Sequence, residues 1–74
     1  MNLTEKFFSA FKLAIDEEQK AYELYMMLAE MCDESELKKH FEKFAADELQ
    51  HKKILMERYR EMKDINDLRL KLKK

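Results

Sequence analysis

Steps of four and three through the first half of the chain pick out Thr4, Phe8, Phe11, Ile15, Glu18, Tyr22, Tyr25, Ala29 and Cys32. The same steps through the second half pick out Leu37, Phe41, Phe44, Glu48, His51, Leu55, Arg58, Met62 and Ile65. Apolar recurrence at that period marks one face of a helix. A second line, Phe7, Ala14, Ala21 and Leu28, flanks the first. The apolar face of the first helix is therefore wide, as in a bundle, and unlike a narrow two-stranded seam. Between the halves lies Cys32-Asp33-Glu34-Ser35-Glu36. Asp33 followed three residues later by Glu36 reads as an N-cap with its capping box, and Asn2 and Glu5 repeat that spacing near the start. The pattern predicts helices over about residues 3–31 and 34–63. A weaker break is predicted at Asp64-Ile65-Asn66-Asp67, leaving the alternating apolar and basic tail 68–74 as a frayed extension or a contact arm.

A short turn makes the two helices antiparallel neighbours. Folded at residue 33, positions at one height have numbers summing to about 66, and Glu18 with Glu48 meets that sum. Both acids then lie about 22 Å from the turn at 1.5 Å per residue. His51 lies one turn beyond Glu48 on the same face. Three polar side chains thus interrupt otherwise apolar stripes at one level. A lone buried acid costs several kcal/mol or gives up its charge, so a cation between them is the natural resolution.

Composition agrees with a single all-α domain spanning residues 1–74. The chain has 74 residues with no Gly and no Pro, so little punctuates a helix. Charged residues make up 42% with a net charge of -1, which speaks against a nucleic-acid partner. The longest uncharged apolar run, Leu24 to Ala29, is far too short to span a membrane. No cleavable leader is expected, and the single Cys32 fits a cytoplasmic setting without disulfides. A hairpin of this size lacks an adequate core. The economical solution is a second copy about a two-fold axis, giving a homodimeric four-helix bundle or a higher oligomer. Symmetry would double the site to four Glu and two His.

In that arrangement Glu48 of each chain would bridge two cations, while Glu18 and His51 would cap them. Oxygen-rich ligation with one imidazole per metal suits iron or manganese, two per dimer, and lacks the thiolates of a structural zinc site. Asp47 could accept from the second nitrogen of a His51, its own or the partner chain's, or be a solvated surface acid. Tyr22 and Tyr25, one and two turns from Glu18, could hydrogen-bond ligands or carry a transient radical, though plain packing is the simpler role. His40 and the pairs Lys38-Lys39 and Lys52-Lys53 read as solvated surface. Met26, Met27 and Met31 read as packing or interface filler.

Ala14-Ile15-Asp16-Glu17-Glu18-Gln19-Lys20-Ala21-Tyr22-Glu23-Leu24-Tyr25 resembles the first helix of rubrerythrin-type ferritin-like domains. Phe41-Glu42-Lys43-Phe44-Ala45-Ala46-Asp47-Glu48-Leu49-Gln50-His51 resembles their second. The likeness covers roughly residues 7 to 60. It is specific at Glu18, Tyr22, Tyr25, Glu48 and His51. It implies a ferritin-like bundle, iron held by Glu18, Glu48 and His51, and two-electron oxidation of a di-ferrous pair by hydrogen peroxide or dioxygen. Two features depart from the family pattern. Full rubrerythrins hold four helices in one chain, and they carry a cysteine-ligated domain that feeds electrons to the site. Turnover here would therefore need an external electron donor. The half-bundle plan also resembles encapsulated ferritins, although tail 68–74 lacks their Gly-containing targeting sequence. Peroxide or oxygen defence, ferroxidase action for iron storage, and a non-enzymatic helical interaction module are the three functions to be separated.

Overall fold

A computed structural model describes residues 2–72, which form two helices and a tight connection. Helix α1 spans Leu3–Met31 and helix α2 spans Ser35–Leu72. They pack side by side as a hairpin measuring 60 × 21 × 11 Å, one helix thick. Helix α1 starts where the sequence predicts. The Asn2 side chain accepts from the Glu5 N–H at 2.8 Å, satisfying one of the amides that a helix start leaves without an intrahelical partner. After Met31 the chain turns extended at Cys32 (φ -86°, ψ 124°), whose N–H reaches the Ala29 carbonyl at 3.4 Å. The Cys32 thiol donates to the Glu34 carbonyl at 3.4 Å.

Two boundaries differ from expectation. The cap of α2 is Glu34, and Asp33 does not serve. The Glu34 carboxylate accepts from the N–H groups of Leu37 at 2.7 Å and Glu36 at 3.2 Å. A carboxylate at this end also complements the positive helix terminus. At the other end α2 does not break at Asp64–Asp67. It runs nine residues past the predicted stop at 63, to Leu72. Asp and Asn inside a helix cost only about 0.5 kcal/mol each. Half-buried Asn66 also lines a cavity against Leu3, Thr4, Phe7 and Phe8 of α1, so tertiary contact offsets that cost. Arg69 and Lys71 sit in the last turn, where positive charge suits the carbonyl end. The rest of tail 68–74, Lys73 and Lys74, lies outside the described residues.

Two aromatic clusters hold the hairpin at its ends. Near the open end Tyr59 meets Phe8 and Phe11 edge-on at centroid distances of 5.6 and 5.3 Å. Near the turn Tyr25 stacks on Phe41 at 6.5 Å and tilts against Phe44 at 5.5 Å. Edge-on and offset pairs are favoured arrangements for aromatic rings. The numbers of the Tyr25–Phe41 pair sum to 66, as the folding rule requires. Only Phe8, Ala29 and Ala45 are buried among the described residues.

The α2 line facing α1 is rotated by about one residue from the predicted stripe. Phe41, Ala45, Glu48, Lys52, Leu55, Tyr59 and Met62 are buried or half-buried, whereas Phe44, His51, Arg58 and Ile65 are exposed. At 3.6 residues per turn, those four lie on the same side of the hairpin as Phe7, Ala14, Ala21 and Leu28 of α1. This side is broadly apolar and open. The opposite side carries Lys12, Gln19, Lys52, Met56 and Lys63. Among the described residues no helix is long and apolar enough to cross a membrane.

Candidate metal centre

Glu18 comes from the middle of α1, and Glu48 and His51 come from successive turns of α2. One ligand atom from each lies within 4.8 Å of the others. His51 Nδ1 is 3.6 Å from Glu18 Oε2 and 3.9 Å from Glu48 Oε2. The predicted trio therefore meets at one point, as the level-matching of positions 18 and 48 requires. Burial divides the three. The Glu18 and Glu48 side chains are 24% and 22% exposed, whereas His51 is 57% exposed. The acids sit in the seam, and the imidazole stands at its edge on the open side.

The electrostatics are unfavourable as they stand. Glu18 Oε2 is buried and has no hydrogen-bond partner. A buried acceptor left unpaired is a destabilising feature that native structures seldom keep without a reason. The Glu48 carboxyl is pushed above the ordinary glutamate range. The first cause is its contact with the Glu18 carboxyl, through a proton the two can share; burial and repulsion from Glu18 add to it, and the nearby His51 opposes it. Two acids forced together raise the affinity for a positive partner, whether a proton or a cation.

A divalent metal fits this donor set. It would satisfy the orphaned Glu18 oxygen, neutralise the paired carboxylates and accept a lone pair from the neutral imidazole. Carboxylate and imidazole donors without thiolate belong to iron, manganese and similar ions. Three side chains are few for metals that take five or six ligands, so one hairpin supplies an incomplete shell.

The neighbours have other work. Asp47 is half-buried and ion-paired to Lys43 at 3.0 Å, one turn back along α2. Tyr25 belongs to the aromatic cluster near the turn, and Tyr22 is half-buried on the same line of α1. Among the described residues neither hydroxyl is hydrogen-bonded to Glu18 or Glu48. His40 is exposed, its ring 6.3 Å from that of Phe44, and Met26, Met27 and Met31 are exposed too.

One neighbour was not legible. Lys52, expected on a solvated face, is half-buried, and its ammonium donates to Gln19 Oε1 at 2.6 Å. Its position one turn after Glu48 on the seam was the available signal, but the adjoining Lys53 made the pair look like surface. A family model described as Rubrerythrin matches residues 10–74. No curated protein and no solved structure is significantly similar to the chain.

Proposed function

The chain belongs to the rubrerythrin family, and on that premise we propose that it oxidises ferrous iron with hydrogen peroxide or dioxygen at a di-iron site completed by a second copy of itself. The observation that carries this reading is the meeting of Glu18, Glu48 and His51, with a buried Glu18 oxygen that no protein group satisfies. Iron held by these residues would supply two electrons, one from each ferrous ion, which with two protons would reduce one hydrogen peroxide to two waters.

The protein's own part is to bind and to hold protons. Glu18 and Glu48 bind through carboxylate oxygens and His51 through its neutral imidazole. Glu48, its pKa raised beside Glu18, must be deprotonated to bind, so metal affinity rises with pH. A second hairpin is called for by two features. Three ligands per chain leave each metal under-coordinated, and the open side exposes Phe7, Phe44 and Ile65 beside the exposed imidazole. Apolar surface of this kind marks an interaction site. A two-fold axis would set this side against its own copy, giving four Glu and two His for two irons. Asp47 is the acid we assign to the free nitrogen of a His51 across that axis. Continued turnover takes electrons from an external donor.

Anaerobic ferrous titration followed by a peroxide or oxygen challenge tests this function. The expected result is one iron per chain, oxidised with a ferric absorbance, and stoichiometric binding lost in Glu48→Ala. Undiminished iron uptake by Glu48→Ala would remove the site. Uptake without oxidation would leave a metal-binding helical module.

A further inference from the structure

The side opposite His51 holds a contact that the metal site does not use. Lys52 Nζ donates to Gln19 Oε1 at 2.6 Å. Apart from the contact between the Glu18 and Glu48 carboxyls, it is the side-chain hydrogen bond that joins α1 to α2 among the described residues; the others span at most four positions within one segment. Ordering a lysine in a seam sacrifices the rotamer freedom of a long side chain. A lysine held there has a definite partner geometry to maintain.

Its location is informative. Gln19 directly follows Glu18, and Lys52 directly follows His51 one turn beyond Glu48. Any sliding of one helix past the other that separates Glu18 from Glu48 must also stretch this bond. Packing is thinner at this height than at the aromatic clusters: Ile15, Tyr22 and Leu55 are half-buried, and buried Ala45, one turn from Glu48, offers only a methyl group. On α1 the buried residues are Phe8 and Ala29, each about 15 Å along the helix from Glu18 at 1.5 Å per residue. Between them, besides the aromatic contacts of Phe11 and Tyr25, the seam holds the Glu18–Glu48 pair and these smaller contacts.

We propose that the Lys52–Gln19 hydrogen bond is the positioning element of the site, setting the register of α1 against α2 so that Glu18 meets Glu48 and His51. Neither residue touches the metal; both act through the ligands next to them. The inference rests on the metal-binding reading for its consequence but not for its geometry. Outer groups that orient ligands typically change metal affinity by 10- to 100-fold.

The test titrates ferrous iron anaerobically into the wild type, Gln19→Leu, Lys52→Met, the double variant, and the exchanged pair Gln19→Lys with Lys52→Gln. Each single change should weaken iron binding by roughly tenfold. The double should be no weaker than the singles, because both remove one bond. The exchanged pair should recover most of the loss, which general helix damage would not allow. Singles that bind as tightly as the wild type, or a loss that the exchange does not recover, would overturn the proposal. A metal-free readout separates it from the function. Nitroxides at Glu23 and Leu49, in a Cys32→Ser background, should report one distance in the wild-type pairing and a broadened spread in Lys52→Met. A wild type that takes up no iron, with the broadening still produced by Lys52→Met, retains the register device and loses the metal reading. An unchanged spread overturns the register device whatever the iron does.

Discussion

At the height of Glu18 and Glu48 the hairpin has two unlike sides. On one, Lys52 reaches across the seam to Gln19 at 2.6 Å, and toward the open end the Lys63 ammonium lies 5.0 Å from the centre of the Phe8 ring. Polar groups there find partners within the chain. On the other, His51 is exposed beside two half-buried acids, and Phe44 and Ile65 face solvent. On the first side the polar groups are met inside one chain, while Leu49 and Met56 stay exposed there. The second has ligands without a full shell and apolar surface without a cover. The incomplete ligand shell and the exposed phenylalanines Phe7 and Phe44 fall on the same side, which is the physical basis for reading the hairpin as half of a bundle.

The largest effect on this contrast should come from Ala14, an exposed small residue on the open side. Ala14→Arg keeps a good helix former but puts a bulky charge into the proposed two-fold interface twice over. Overpacking and unpaired charge at about 1–3 kcal/mol per copy imply a dimer weakened by roughly thirtyfold or more. Sedimentation equilibrium reads it directly, and iron uptake should fall in parallel while the helical signal stays. A variant that still dimerises like the wild type would place the interface elsewhere.

A smaller effect concerns the paired acids between the two sides. The Glu48 pKa is raised in the fold, so the folded chain keeps this proton to higher pH than the unfolded chain does. Metal-free stability is thus fully present below the unfolded glutamate pKa and declines as pH rises through the raised value. Glu48→Gln removes the charge and the decline with it. Without metal it should melt at a higher temperature than the wild type near pH 7 and show little advantage near pH 4. Parallel melting curves that never diverge between those conditions would deny the carboxylate repulsion. The smallest effect belongs to the first side. Lys63→Ala should cost about 0.5–1 kcal/mol through the lost cation–ring contact, seen as a modestly lower denaturant midpoint, with oligomeric state and iron stoichiometry unchanged.

The sequence made the ligands more legible than the surface around them. Positions 18 and 48 could be placed at one level because a tight turn fixes an antiparallel register, and the Tyr25–Phe41 stack obeys the same sum. The start of α1 was legible because Asn2 has one task, capping the next turn. The seam of α2 was less so. A stripe through Phe44, His51 and Arg58 is the more apolar or chemically conspicuous line, whereas Ala45, Lys52 and Tyr59 turn toward α1. Hydrophobicity along a helix records every surface it will bury, and only one of those surfaces lies within this chain. Glu34 and not Asp33 is the cap because α2 begins at Ser35, which puts the N–H groups of Glu36 and Leu37 two and three residues beyond Glu34 and within reach of its carboxylate. The run of α2 to Leu72 shows that weak helix formers at 64–67 end nothing when no Gly or Pro stops the helix.

The central claim is that neither hairpin holds the iron pair alone. Light scattering on the iron-loaded protein, with metal content from the same fractions, tests it most directly. A chain of 9.1 kDa should elute at twice that mass or a higher even multiple, with two irons for every two chains, and lose mass and metal together in Ala14→Arg. Two irons bound per chain in a species of single-chain mass would contradict it.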